Sequence, residues 1–185
     1  SFYPTKVMTT GEGGMITTNN KKLHAQMNSY KNFGRGSNPN LITFLGSNYK
    51  ISEFTAILGI LELERIKKRI AKRKAIVMRY LNNLKNNDNF NVIVQNKGRS
   101  SYYKCVIKTK IKSKIIEKYC KLNGIHLTGK VWGVPIHQQS IFKKYSKNLK
   151  YINADKFSEY HICPPNYPEL TFNDIDYVCT VLNKI

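Results

Sequence analysis

Acidic residues are scarce in this chain: 11 Asp and Glu stand against 31 Lys and Arg in 185 residues, for a formal net charge of +20. That imbalance favours polyanionic partners through counterion release. A basic, nonspecific nucleic-acid-binding domain is therefore one reading, supported by aromatics set beside lysines in Tyr102-Tyr103-Lys104 and Phe142-Lys143-Lys144-Tyr145. Against it, no recognisable binding motif is present and the basic residues do not concentrate in one element. Lysine runs the whole length of the chain among asparagine, isoleucine and tyrosine, a mixture that an A/T-rich coding genome produces. Cysteine is also sparse. Cys105, Cys120, Cys163 and Cys179 form no C-x-x-C pair and no zinc-finger spacing with histidine, so reduced structural thiols are expected and no metal. No run of about eighteen apolar residues occurs and no charged-then-apolar leader opens the chain; a soluble, cytoplasmic protein is expected. Internal repeats are lacking, as is low complexity beyond the Lys and Asn bias.

What is present begins at the first residue. Ser1-Phe2-Tyr3-Pro4-Thr5-Lys6 sets one lysine on an approach stiffened by proline, and a glycine cluster, Gly11-Glu12-Gly13-Gly14, follows between Val7–Thr10 and Met15–Thr18. The two flanking runs are β-prone, which predicts a tight strand-turn-strand. An amine attacks carbonyls only where part of its population is neutral, through desolvation or neighbouring cations. Lys6 is the candidate for such chemistry; a solvated surface charge is the alternative. Because the motif starts at Ser1 and residue 1 is not Met, a piece of something longer is expected.

Further along, Asn20 is placed to cap a helix over Lys21–Tyr30, and Phe33–Asn40 reads as loop. Ser52 and Glu53 open a second helix that runs to about Lys85. From Phe54 to Leu63 it is apolar almost all round, which predicts burial on several sides; beyond, Leu63, Ile66, Ile70, Val77, Leu81 and Leu84 form one stripe amid Lys67, Lys68, Arg69, Lys72, Arg73 and Lys74. Asn82–Asn91 reads as loop, Ser100–Thr109 as strand, Ser113 as the cap of a helix ended by Gly124, and Ile125–Leu127 as strand. Residues 154–160 read as a short helix, Ile162-Cys163-Pro164-Pro165 as extended chain, and Thr171 as the cap of a last helix over Phe172–Asn183. Alternating strands and helices support α/β or α+β.

Two stretches carry a resemblance. Ser1, Lys6 and Thr10-Gly11-Glu12-Gly13-Gly14 resemble the active-site lysine motif of the DegT/DnrJ/EryC1/StrS family of pyridoxal-phosphate-dependent sugar aminotransferases. Gly46-Ser47-Asn48-Tyr49-Lys50 and the helix after it resemble that family's Gly-x-Asn-Tyr-Arg motif, with Lys50 where Arg is usual. A point charge there replaces a planar fork. Weaker likenesses lie in Pro135-Ile136-His137 and in the closing run from Cys163.

By this resemblance the fold is α/β, fold-type I. Residues 1–62 are then the end of the large cofactor-binding domain and residues 63–185 the small C-terminal domain begun by the long helix. Lys6 is implied to bind pyridoxal 5'-phosphate as a Schiff base. The enzyme would then carry an amino group, from glutamate as donor, to a keto-sugar nucleotide in ping-pong fashion. Ser1 and Asn48, with Lys50 nearby, are implied contacts of the cofactor phosphate, Asn48 and Lys50 reaching that of the partner in a homodimer. Lysine at position 6 favours transamination over the dehydratase branch, which lacks it. His137 is a candidate substrate contact or a packed surface histidine, and Asn48 is also a turn former. In the family the phosphate-cradling turn, the ring-stacking aromatic and the aspartate at the pyridine nitrogen precede the lysine. This chain alone is thus expected to bind cofactor poorly, the activity residing in a longer or complemented protein; an inactive remnant is the remaining alternative.

Overall fold

A computed structural model describes residues 1–146 and 149–185. The chain divides into two compact units, Ser1–Lys67 and Lys68–Ile185.

In the first unit α1 spans Lys21–Lys31, and the Asn20 Oδ1 accepts from the Leu23 N–H at 3.0 Å as the cap position requires. After α1 the chain reverses. Gly34 lies at φ +75°, and a Cβ there would fall 1.6 Å from the Phe44 carbonyl oxygen. Gly46 faces it: its Cβ would come within 2.3 Å of the Gly34 nitrogen and 2.6 Å of the Tyr30 oxygen. Two backbones thus touch where only glycine fits.

The expected strand-turn-strand around Gly11–Gly14 is not formed. Instead the Thr10 N–H donates to the Phe2 carbonyl at 3.0 Å, and the Phe2 N–H donates to the Gly13 carbonyl at 2.9 Å. The turn spends its hydrogen bonds on the segment ahead of Lys6, so no ladder between its own arms arises.

α2, Glu53–Leu84, is a single helix of 32 residues, about 48 Å long at 1.5 Å per residue. Ser52 caps it, its Oγ accepting from the Thr55 N–H at 3.2 Å. Its opening turns correct the expectation of burial on several sides. Phe54 is 88% exposed, and Ile57, Ile60 and Leu63 are exposed as well. The covered side is the narrow one of Gly59 and Glu62, where a Cβ on Gly59 would meet Thr10 Cγ2 at 3.3 Å. An all-round apolar pattern records surface that needs covering, which the first unit supplies on one side only.

The second unit has a conventional core. β1 (Phe90–Val92), β2 (Ile107–Thr109) and β3 (His161–Ile162) form an antiparallel sheet in the order β1-β2-β3, with Phe90 opposite Thr109 and Ile107 opposite Ile162. Ile76, Val77, Tyr80 and Leu84 from α2 pack with these strands and with α3 (Ser113–Leu122) and α5 (Phe172–Leu182). α4 (Ile152–Glu159) precedes β3.

β1 begins inside the stretch Asn82–Asn91 expected as loop and runs one residue past it. Its buried-exposed-buried pattern rests on Phe90 and Val92 alone, too short a signal amid asparagines. The strand expected over Ser100–Thr109 shrinks to its last three residues. Tyr102 lies at φ +50°, and its carbonyl accepts from Asn166 Nδ2 at 2.8 Å, a side-chain bond that takes the place of a ladder. Ile125–Leu127 likewise forms no strand, because Gly129 at φ +74° turns the chain away soon after Thr128 bonds the Cys163 carbonyl. Ser113 is the first residue of α3, with Lys112 at the cap.

The C-terminus of α3 is a Schellman motif: Gly124 takes φ +72°, its N–H donates to the Lys121 carbonyl, and the Ile125 N–H donates to that of Cys120. Thr171 and Asp174 form a capping box at the start of α5.

Part of the basic run on α2 is structural. Lys72 Nζ donates to the Pro168 carbonyl, and Arg73 Nη1 donates to the carbonyls of Tyr103 and Asn166. Burial lowers the Arg73 pKa. Arg79 holds Asp176 through Nε at 2.8 Å and Nη2 at 2.6 Å, tying α2 to α5 and holding that carboxyl below the usual range.

Cys105, Cys120, Cys163 and Cys179 are free and buried. Desolvation raises all four thiols, Cys120 and Cys163 to about 11 and Cys179 to about 12. Among the described residues no group of His, Cys, Asp or Glu is arranged to hold a metal, and no helix is long and apolar enough to cross a membrane.

Candidate active site

Tyr3-Pro4-Thr5-Lys6 is a turn in which the Lys6 N–H donates to the Tyr3 carbonyl at 2.9 Å. Proline at the second position pre-sets its φ. Ser1 Oγ accepts from the Tyr3 N–H at 3.4 Å, so the serine and the lysine sit at the two ends of one short loop. Lys6 is half-buried and immediately precedes the buried Val7.

The glycine turn braces this loop through Phe2. Thr9 Oγ1 adds a bond to the Phe2 carbonyl at 2.9 Å, and Thr10 Oγ1 donates to the Glu12 carbonyl at 2.7 Å. Gly13 takes φ +140°, where a Cβ would meet Thr10 Oγ1 at 3.0 Å. The glycines therefore have a mechanical reason to follow the lysine: they let the chain fold back over the residues that present it.

Asn48 and Lys50 lie on a second loop. The Tyr49 N–H donates to the Lys31 carbonyl at 3.0 Å, Asn48 bridges to Asn32, and the Tyr49 ring stacks on Tyr30 with centroids 5.7 Å apart. Lys50 Nζ donates to Asn32 Oδ1 at 3.1 Å and stands 5.3 Å from the Phe33 ring centroid. Asn48 and Lys50 are both exposed. Ile51, next along, meets the glycine turn, 3.8 Å from where a Cβ on Gly13 would lie. Gly46 has the clearest physical role in its motif, because the close backbone approach it permits sets the path of Ser47 through Lys50.

His137 belongs to the second unit, in a 3-10 turn, Ile136–Gln138. Its Nε2 pairs with Asp155 Oδ1 at 2.9 Å, its ring lies 4.7 Å from that of Tyr151, and Ser146 Oγ donates to its carbonyl at 3.0 Å. Gln138 Nε2 also donates to Asp155 Oδ1, at 2.6 Å. Asp155 was not legible as a partner, since it lies eighteen residues away on a separate helix with no spacing rule to connect them.

His161 was missed as well. It is fully buried, stacked on Phe157 at 4.3 Å, and its Nε2 accepts from the Val131 N–H at 2.9 Å while Nδ1 bonds the Phe157 carbonyl. Accepting at Nε2 requires the neutral ring with its proton on Nδ1. Burial lowers its pKa accordingly. Lys104 Nζ donates to the Lys130 carbonyl at 2.7 Å, and Lys130 Nζ to that of Ser158. Together these bonds fix the segment leading to His137. Its position in the apolar run Tyr160-His161-Ile162-Cys163 was the available signal.

Comparison with known proteins places this arrangement. The sequence model of the DegT/DnrJ/EryC1/StrS aminotransferase family matches residues 1–183. A dTDP-4-amino-4,6-dideoxy-D-glucose transaminase of Shigella dysenteriae is 25% identical over 100% of this chain and 51% of its own length. GDP-perosamine synthase of Caulobacter vibrioides is 40% identical over 80 residues, 42% of this chain and 21% of that protein. The crystal structure of a DegT DnrJ EryC1 StrS aminotransferase from Brucella abortus superposes with a TM-score of 0.90 at 22% identity, covering 99% of this chain and 49% of that one. The chain thus spans about half the length of such relatives. The fold is the fold-type I arrangement of these aminotransferases. With the family pattern matched from Ser1 through the closing helix, this chain belongs to the DegT/DnrJ/EryC1/StrS aminotransferase family.

Proposed function

We propose that this chain is the lysine-bearing part of a pyridoxal-phosphate-dependent aminotransferase acting on nucleotide-linked keto-sugars, with glutamate as amino donor. The observation that carries the reading is Lys6 itself, half-buried at the end of a proline-set turn that the glycine cluster braces, within a family match over residues 1–183. The donor set fits the cofactor in kind: a primary amine at Lys6 for its aldehyde, and the Ser1 hydroxyl with the Asn48 amide and Lys50 ammonium for its phosphate. Bound there, pyridoxal phosphate supplies an electron sink for the substrate carbanion.

The protein's share is positional. Lys6 Nζ would hold the cofactor through its aldehyde and, when free, would serve as the general base and acid that takes up and returns a proton. The brace on Phe2 keeps the lysine loop from drifting during these exchanges. In the proposed homodimer, Asn48 and Lys50 serve the neighbouring subunit's cofactor. His137, oriented by Asp155, contacts substrate. Residues 1–62 count as the end of the large domain and 63–185 as the small one, in a cytoplasmic enzyme. The exposed apolar start of α2 supports the reading, since such a surface is covered in an assembly.

The test is borohydride reduction of the full-length gene product mixed with pyridoxal phosphate, followed by peptide mapping. Label confined to Lys6 and lost in Lys6→Ala supports the reading. Label scattered over surface lysines, with no absorbance band that depends on Lys6, overturns it.

A further inference from the structure

His161 is a fully buried, titratable ring that the proposed chemistry does not use, and it stands at the root of an exposed segment. Its Nδ1–H donates to the Phe157 carbonyl and its Nε2 accepts from the Val131 N–H at 2.9 Å, so one ring joins α4 to the chain that leaves Gly129. Lys104 Nζ holds the neighbouring Lys130 carbonyl at 2.7 Å. Beyond these two links the chain stands in solvent. Trp132 is 65% exposed, Val134 is exposed too, and a Cβ on Gly133 would meet nothing within 4 Å. The turn Ile136–Gln138 that carries His137 follows directly.

A proton on this ring reverses the sense of one bond. Neutral imidazole accepts at Nε2, whereas imidazolium donates at both nitrogens. The bond to Phe157 survives the change, but at Nε2 two N–H groups then face each other across 2.9 Å in a fully buried site, where an unsatisfied donor is costly. Burial opposes the proton most, Lys130 and Lys104 oppose it as well, and Glu117 of α3 favours it. Lys108 is the ring's partner across the β2–β3 pair, and α4 presents the Phe157 ring. The ring therefore takes its charge most readily when the segment moves off and Nε2 meets water. We propose that His161 is a pH-sensitive anchor for residues 131–137: neutral, it fixes them and so sets the turn carrying His137; protonated, it lets go of Val131 and the segment swings away while the core stays folded. This device belongs to the second unit alone and stands apart from the aminotransferase reading.

Trp132, the chain's single tryptophan, follows Val131 directly and reports on the segment. The experiment follows its emission in the 185-residue chain from about pH 7.5 to about pH 5. Beside it run His161→Gln, whose amide oxygen still accepts from Val131 and takes no proton, and His161→Leu, which accepts at no pH. The expected result in the original chain is one reversible step, its midpoint below the ordinary histidine value near 6.5, with far-UV circular dichroism unchanged. His161→Gln should stay flat at the neutral-pH signal and His161→Leu flat at the acid-pH signal. Hydrogen exchange of residues 130–137, compared at one pH so that intrinsic rates cancel, should run about tenfold or more faster in His161→Leu than in His161→Gln. No step in the original chain, or one that coincides with loss of circular dichroism, would overturn the proposal. So would equal exchange in the two variants, or the same step in His161→Gln, which would assign it to the His137–Asp155 pair nearby. Should His161→Leu fail to fold, the original chain against His161→Gln decides alone.

Discussion

The two units place their apolar residues in opposite ways. In the second, Tyr80, Ile107, Ile116, Ile162, Ile175 and Leu182 are all but inaccessible, gathered by three strands and three helices. In the first, the buried positions are Val7, Thr10, Gly34 and Glu62, while Leu45 is 90% exposed and Phe54 88%. One unit is organised around a core and the other around backbone contacts: the glycine turn on Phe2, and Gly34 against Gly46. The second holds itself together by burial; the first holds a loop geometry and offers its apolar surface outward.

The sharpest way to break this contrast is to cut into the core. Ile107→Ala should cost about 2–5 kcal/mol in chemical denaturation, since the cavity left at a fully buried site collapses only in part. A value near zero would mean the sheet is not the second unit's foundation. Next in size, Gly46→Ala should cost about 1–3 kcal/mol by forcing apart two backbones already in contact. Hydrogen exchange should show the loss confined to the Tyr30–Tyr49 region. Protection lost equally in α5 would refute the division into two units.

A third test is pH. His161 is held neutral, its pKa depressed by burial, so the folded protein binds fewer protons than the unfolded chain below the unfolded value near 6.5. Stability is full above that value and declines as pH falls through it toward the lower folded value. Melting temperature should therefore drop from pH 7.5 to 5, and the drop should shrink in His161→Gln. A melting temperature that rises on acidification would refute the assignment. The smallest effect is expected at the other extreme of exposure: Phe54→Ser should move stability by only about 0.5 kcal/mol while raising solubility. A large loss there would show that Phe54 supports the fold of this chain itself.

The contrast also explains what could be read in advance. α1, α2 and α5 were legible because Asn20, Ser52 and Thr171 are local signals, each capping within three residues. The turn before Lys6 was legible from Pro4, whereas the glycines read as a hairpin and instead fold back on Phe2; the Gly46 motif was legible from its residues, though the clash that makes glycine necessary there involves Tyr30 and Gly34. The failures are long-range. Lys72 and Arg73 fall outside the apolar stripe of α2 in the sequence, with no sign of a partner, yet they bond carbonyls some ninety residues away. The start of α2 read as buried because hydrophobicity reports a demand for cover and says nothing of what answers it. His137 was visible through Pro135, whereas Asp155 and His161, which set its ring and its approach, depend on α4 and β3 coming together.

The buried cysteines give the second unit a clock of its own. With thiols at about 11 to 12 for Cys120, Cys163 and Cys179 and no disulfide to break, a folded molecule presents almost no thiolate at neutral pH. An alkylating reagent then reacts only with molecules that have opened, and all four sites lie beyond Lys68. The rate at which mass is added in native buffer counts openings of that unit, without denaturant or an activity assay, and leaves the lysine-bearing loop untouched by the measurement.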